Sequence, residues 1–576
     1  MVRMLRQFLY PYRRTLLVVI GLLVVQAVGQ LYLPNLNASI INNGVLTGDT
    51  GYILRIGGFM LLVTAVFTVA AIVSVYYSAR TAMRFGRDVR GALFEHVQGF
   101  ALSEVNTFTA PSLITRNTND VQQMQMLVVM GLTTMISAPI VAVGGVLMAI
   151  KENVQLSALL LIIIPIMLLV IGAIVFRAVP QFQVMQERID RINLVLREKL
   201  SGIRVIRAFV RTDYERQRFA RANDALTDTS LRVARLFALM MPSLSLILNM
   251  ATVGVLWFGG HLVNNGSMQV GNLTAFIAYV MQILTSVMMA VMMVVMIPRA
   301  SASADRIQEV LDTEPEIRED REPSTIAPAY GVIELREVDF RYPGAEQPVL
   351  HDVSFTCRPG EITAIVGSTG VGKTTAVNLM TRLYDTTSGA VLVDGVDVRE
   401  FAFETLWSTF GLVPQKAFLF SGTIASNLQF GRPDATEDEM WQALETAQAA
   451  DFVRELPKGL HARIDQGGAN FSGGQRQRLA IARALIRKPL IYIFDDSFSA
   501  LDFTTDAKLR RVLREQTTHA TVIIVAQRVS TVMQADQIVV LDDGQVVGKG
   551  THHELMADCD TYREIVFSQL SATEAA

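Results

Sequence analysis

Six stretches of this chain carry enough consecutive apolar residues to cross a lipid bilayer, and no other feature of the sequence restricts its fold as strongly. A hydrocarbon core of roughly 30 Å needs about 20 apolar residues in a helix. Thr15–Leu36, Tyr52–Ser78, Gln125–Ile150, Gln155–Phe176, Leu236–Val263 and Gly271–Ile297 each meet that length. Lipid offers no partner to an exposed backbone N–H or C=O, so these segments are expected as helices whose hydrogen bonds close internally. A composition of 51% hydrophobic and 18% charged residues fits a chain partly dissolved in lipid. The apolar runs stop near Pro298, and the remainder of the chain has the mixed charge, glycine punctuation and short apolar runs of a soluble α/β domain. Arg3, Arg6, Arg13 and Arg14 precede a first apolar run that is long and lacks a small-residue cleavage site, so it reads as a retained helix rather than a signal peptide.

Arginine is abundant before the first span, between spans two and three, between spans four and five, and after span six, while the alternate connections contain almost none. This bias puts both termini on the cytoplasmic side. The connections Ala79–Met124 and Arg177–Arg235 are too long for turns and keep helical periodicity, so the helices are expected to continue beyond the bilayer. A net charge of -2 with no basic recognition face argues against nucleic acid. Cys357 and Cys559 have no paired or metal-ligand spacing and read as reduced thiols. The spans hold almost no central ionisable residue, which points to an amphipathic or hydrophobic cargo. Met288, Met289, Met292, Met293 and Met296 share one helical face and fit either an adaptable cavity wall or plain packing. Asn249 and Gln282 are polar cavity candidates, and an interhelical hydrogen bond explains either equally well.

A charged, proline-containing connection over 312–331 precedes Val332–Phe340, whose alternation predicts a strand. The boundaries expected are a membrane domain over 1–311, a linker over 312–331, a nucleotide domain over 332–570 and a tail over 571–576. The segment Gly367-Ser368-Thr369-Gly370-Val371-Gly372-Lys373-Thr374, followed by Thr375, comes directly after the apolar run Ile362–Val366. Strand, glycine-rich loop and helix in that order form a phosphate cradle: backbone amides approach phosphate, Lys373 supplies positive charge, and Thr374 can bind magnesium at the helix start. Leu490-Ile491-Tyr492-Ile493-Phe494-Asp495 reads as a buried strand ending in a magnesium-holding carboxylate.

Phe471-Ser472-Gly473-Gly474-Gln475 resembles the signature of ATP-binding cassette transporters, with a conservative change at its first position. The resemblance covers the whole chain. Leu113–Asp120 and Gly202–Phe209 resemble the cytoplasmic loops of the family's exporters, whose short helices transmit nucleotide-domain motion. Tyr342 matches the adenine-stacking aromatic, Gln415 the Q-loop glutamine, and Ser499-Ala500-Leu501-Asp502 the D-loop. The family implies an α-helical six-span transmembrane domain joined to an α/β P-loop nucleotide-binding domain, ATP and Mg2+ as cofactors, and a multi-pass place in the bacterial plasma membrane. It also implies magnesium ligation by Thr374, Gln415 and Asp495. Two nucleotide domains of the family pair head to tail, so each ATP is enclosed by the P-loop of one and the signature of the other, here Ser472, Gly473, Gly474 and Gln475.

Two hydrolytic positions depart from that pattern. Asp496 stands where a catalytic glutamate is normal, one methylene shorter, and a displacement on the order of 1 Å can slow a positioned reaction about a hundredfold. Gln527, in Val522-Ile523-Ile524-Val525-Ala526-Gln527-Arg528, replaces the switch histidine; it can hydrogen-bond a terminal phosphate but cannot become an imidazolium. Asp465-Gln466-Gly467-Gly468 also departs from the usual exporter segment bearing a glutamate. The pattern resembles the degenerate-site subunit of heterodimeric bacterial exporters, which implies a second, different half-transporter as partner. An active homodimeric exporter, a siderophore importer on the same architecture and an ATP-binding regulator are the rival readings; the six spans argue strongly against a soluble cassette ATPase.

Overall fold

The computed structural model describes residues 1–294, 296–320, 322–324 and 326–569, so the tail expected over 571–576 lies outside the described residues. The chain divides into two compact units, Met1–Gln98 with Pro111–Thr313, and Gly99–Ala110 with the residues from Glu314 onward. The short helix Leu102–Phe108, placed by sequence between two membrane spans, therefore lies in the second unit.

The first unit is helical. Six helical segments of the described residues are long and apolar enough to cross a membrane. Three of them, Thr50–Gln98, Leu160–Ser201 and Thr212–Asn264, run for 49, 42 and 53 residues. At a rise of 1.5 Å per residue these are about 75, 63 and 80 Å long, more than twice the thickness of a hydrocarbon core. Their apolar residues split between an inner and an outer surface. Phe276 and Tyr279 are fully buried, whereas Leu161 and Phe176 are 79% and 82% exposed, as a lipid-facing side chain must be. Tyr279 satisfies its buried hydroxyl by donating to the Leu31 carbonyl at 3.0 Å.

Where the third span begins, a π-helical turn at Arg116–Asp120 turns Asp120 inward. Its carboxylate, 2% exposed, accepts from Ser303 Oγ at 3.0 Å and Arg306 Nε at 2.8 Å. Arg116 completes the set by donating to the Arg306 carbonyl and pairing with Glu309 at 2.8 Å. The loop segment that resembles an exporter coupling region is thus clamped to the helix Met296–Asp312.

The second unit is α/β. Its six-stranded sheet has the order Gln545–Gly550, Gln537–Asp542, Ile362–Val366, Thr521–Val525, Ile491–Asp495, Phe410–Val413, and all but the first are parallel. The inner strands Ile362–Val366, Thr521–Val525 and Ile491–Asp495 read as near-continuous apolar runs because both faces are covered. Ala364, Val366, Ile524 and Phe494 enter one core, while Ile365, Val525, Ile493 and Val539 enter the other. An antiparallel sheet of Leu350–Cys357, Ile333–Phe340, Ser388–Val393 and Val396–Asp397 closes the second core. In Ile333–Phe340 the expected alternation breaks at Glu337, whose φ of 47° and the adjoining register shifts mark a bulge.

Asp120→Ala is expected to cost about 2 kcal/mol, because it strips a buried hydroxyl of its acceptor while Arg306 stays half-exposed to water. A thermal midpoint lowered by several degrees in detergent, partly restored in Asp120→Asn, checks this.

Candidate nucleotide site

The parallel sheet brings the candidate residues together. In parallel pairing Val525 lies opposite both Ile365 and Asp495, and Phe494 lies opposite Val413. The four strands therefore end at one edge. There the chain leaves as the glycine-rich loop, as Asp495-Asp496, as Ala526-Gln527-Arg528 and as the segment bearing Gln415. A crevice outside the carboxyl ends of parallel strands is where such folds place ligands.

The loop conformation explains its glycines. Gly367 has φ 152°, and a Cβ there would stand 2.2 Å from the Leu541 carbonyl oxygen. Gly372 is left-handed at φ 96° and caps the helix Lys373–Met380. Between them Ser368, Thr369 and Gly370 are exposed and Val371 is half-buried. Lys373, 7% exposed, donates from Nζ to the Gly367 and Ser368 carbonyls, both at 2.7 Å. Burial pushes its ammonium below its ordinary value, against the pull of Asp496 and Asp495. A buried cation held only by loop carbonyls, above the N-terminus of a helix, fits an anionic polyphosphate.

Thr374 donates to Asp495 Oδ1 at 3.2 Å. Burial raises the Asp495 carboxyl above its ordinary value, the Thr374 bond opposes this, and the neighbouring charge of Asp496 adds to the rise. A desolvated carboxylate beside a hydroxyl is a hard-oxygen pair suited to Mg2+. Gln415 meets a different partner: its Nε2 donates to Asp496 Oδ2 at 3.2 Å. Asp496 stands in the left-handed region at φ 46°, with its N–H donating to the Val525 carbonyl at 2.9 Å. Short aspartate side chains are several-fold enriched in that region.

Tyr342 stands edge-on to Phe340 and Tyr384, with ring centroids 4.8 and 5.3 Å away, and its hydroxyl meets Thr375 Oγ1 at 2.9 Å. It is thereby tied to the glycine-loop helix. The partners Phe340 and Tyr384 were missed in the sequence, because a T-shaped cluster that joins the Phe340–Tyr342 segment to the distant Tyr384 leaves no local signal. Ser472 to Gln475 form a unit of their own: Ser472 caps Gly473–Arg487, accepting from the Gln475 N–H at 3.3 Å, and Gln475 Oε1 accepts from the Ser472 N–H at 3.0 Å. This capping box has a readable pattern, Ser-x-x-Gln before an apolar helix. A Cβ on Gly474 would stand 3.1 Å from the Ala500 carbonyl, so the signature abuts the D-loop, and one on Gly473 would meet open space. Asp502 caps Phe503–Gln516 through the Thr505 N–H at 3.0 Å, which holds its carboxyl below the usual range. Gln527 is exposed.

In the membrane unit Gln282 donates to the Gln30 carbonyl at 3.3 Å and lines a cavity of about 310 Å³ with Gln26, Ser137 and Met289. Asn249 instead donates to Ser245 of its own helix at 2.7 Å, and Met293 is buried. The side chain of Met292 lies outside the described residues.

A six-span helical unit joined to a P-loop α/β unit of this topology defines an ATP-driven membrane transporter. The chain belongs to the ABC transporter family: residues 16–287 match the ABC transporter transmembrane region and residues 350–499 match the ABC transporter domain. An ABC transporter ATP-binding protein of Mycobacterium tuberculosis is 51% identical over 575 residues, covering 99% of this chain and 98% of that protein. A fatty acid ABC transporter ATP-binding/permease protein of the same species is 34% identical over 487 residues, covering 84% of this chain and 76% of that protein. The structure of a bacterial Atm1-family ABC exporter with ATP bound superposes with a TM-score of 0.81 at 23% identity, over 97% of this chain and 99% of that one. The fold is that of an exporter half-transporter, and its nucleotide domain implies ATPase activity.

Lys373→Ala removes the one buried cation of the loop. It is expected to weaken ATP binding by roughly 10- to 100-fold, the worth of charge-assisted hydrogen bonds. Photolabelling with an azido-ATP at graded concentrations measures this; labelling equal to that of the unaltered chain overturns the assignment.

Proposed function

We propose that this chain is one half of a heterodimeric exporter of amphipathic or hydrophobic compounds, and that its own P-loop holds ATP at a hydrolytically weakened site. The observation that carries this reading is the pairing of an intact phosphate loop with Asp496, whose carboxylate is engaged by Gln415 at 3.2 Å. Asp496 is both one methylene short of a glutamate and drawn toward an amide, which leaves it poorly placed to orient an attacking water. Gln527 cannot carry the positive charge of a switch histidine. Lys373 and the loop amides would hold the phosphates, Thr374 with Asp495 would hold Mg2+, and Tyr342 would face the base. Bound Mg2+ supplies charge neutralisation at the phosphates.

Hydrolysis belongs, on this reading, to the other composite site, where Ser472 to Gln475 of this chain complete the partner's P-loop. The exposed apolar tip formed by Val205, Phe209 and Val210, which are 61%, 73% and 87% exposed, supports a partner that covers it. The arginine distribution supports cytoplasmic termini. Spans without central charges, and a cavity lined by neutral amides and a thioether, support an uncharged or amphipathic cargo. The relative named for fatty acids makes long-chain acyl compounds the first cargo to test.

Two measurements test this. Purified alone, the chain should hydrolyse ATP slowly, and with its native partner in the same lipid both ATPase and vesicle transport should rise at least about tenfold. Full transport by the chain alone overturns the asymmetric mechanism. In the assembled pair, Ser472→Asn retains a capping side chain but removes the hydroxyl, and should lower turnover by roughly 10- to 100-fold, whereas Asp496→Asn should change it by no more than about twofold. Equal losses would mean two equivalent sites.

A further inference from the structure

The loop that carries Gln527 is gripped from outside the nucleotide site. Gln569, two residues beyond the last helix Asp560–Phe567, reaches back across the fold. Its Nε2 donates to the Gln527 carbonyl at 2.8 Å, and its Oε1 accepts from the Val529 N–H at 2.9 Å. One planar amide thus closes on both sides of Arg528, satisfying a carbonyl and an N–H that lie just past the end of the strand Thr521–Val525. The grip is anchored. Tyr562 and Val566 are fully buried in the core beneath, Tyr562 Oη bonds His552 Nδ1 at 2.8 Å, and the Gln569 N–H donates to the Val566 carbonyl at 3.0 Å.

We infer that Gln569 is a positioning residue of the nucleotide site, which sets through the backbone of Gln527 where that side chain stands relative to the terminal phosphate of a bound nucleoside triphosphate. Other bonds hold the loop as well: Arg510 Nη1 donates to the Ser530 and Thr531 carbonyls, both at 3.1 Å, and the Val532 and Met533 N–H groups donate to the Val529 carbonyl at 2.8 and 3.1 Å. The Ala526 N–H donates to the Ile365 carbonyl at 3.2 Å, Arg528 Nη2 to the Ser499 carbonyl at 3.2 Å, and the Thr531 N–H to the Arg528 carbonyl at 3.1 Å. None of these bonds is made to the Gln527 carbonyl. Gln527 has no imidazole to anchor through a second ring nitrogen, so the placement of its amide depends on its main chain. A side chain that orients a functional group through its backbone acts as outer support does in any preorganised site. The inference rests on the reading of the glycine loop as an ATP site.

The test is nucleotide discrimination by the full-length chain in lipid nanodiscs, read as MgATP and MgADP competition against azido-nucleotide labelling. Gln569→Ala should weaken MgATP roughly 5- to 10-fold, the worth of about one net hydrogen bond, while MgADP affinity stays within about twofold. Gln569→Glu keeps the length and the acceptor for Val529 but sets an oxygen against the Gln527 carbonyl. It should show the same selective loss, and it decides the matter where the alanine variant folds poorly. In a Gln527→Ala background neither change should have a further effect. Equal loss of both nucleotides, no loss of either, or a loss that persists without Gln527 overturns the proposal. Lys373→Ala, run alongside, loses both nucleotides if the loop is the ATP site; retention of both would sink that reading instead.

Discussion

Parallel pairing within the central sheet is the constraint on which the nucleotide site depends. Hydrogen-bonded neighbours running the same way must end at the same edge. The loops after Val366, Val413, Asp495 and Val525 therefore converge although they are separated by up to 160 residues of chain, Gly367 to Gln527. A slip of one residue between Thr521–Val525 and either neighbour would exchange the two cores and turn Ile523 and Ile524 to the wrong faces. The apolar packing on both faces thus holds Lys373, Thr374, Asp495 and Asp496 in position, at the cost of desolvating Lys373 and Asp495, both displaced from their ordinary protonation ranges by burial. Such displacements gather where charge is to be met by a ligand.

Asp496 shows how backbone and chemistry interact at such an edge. Its φ of 46° closes the turn after the strand and lets its N–H reach the Val525 carbonyl. An aspartate suits that conformation better than a longer side chain does. Its carboxylate accepts from Gln415. Aspartate at this position is therefore compatible with a well-formed turn.

The membrane unit answers to a different solvent. Its six spans are required by lipid, which forbids unpaired backbone, but the length of its helices is not. Thr50–Gln98 and Thr212–Asn264 continue far past any bilayer because their sequences keep helical periodicity while turning polar. Asp120 with Ser303 and Arg306 is the kind of polar cluster that such a protruding bundle uses to fix one packing, since the buried Asp120 carboxylate and Ser303 hydroxyl depend on each other while Arg306 keeps its contact with water.

Much of this was legible in the sequence. The apolar spans, the strand Ile362–Val366 with its glycine loop, and the strand ending at Asp495 arise from local periodicity and composition, because length in lipid and backbone freedom at glycine act on contiguous residues. The capping box at Ser472 was equally local, though its pattern was masked by the signature it overlaps. What only the tertiary structure decided are the partners of individual side chains: Gln415 bonded to Asp496, Tyr342 set among Phe340, Tyr384 and Thr375, Asn249 satisfied within its own helix, the segment 99–110 joined to the nucleotide unit, and Gln569 closed on the loop of Gln527. Side-chain amides and hydroxyls bond whichever partner the packed backbone presents. Their partners are therefore set by strand order and helix placement, which one-dimensional patterns do not encode.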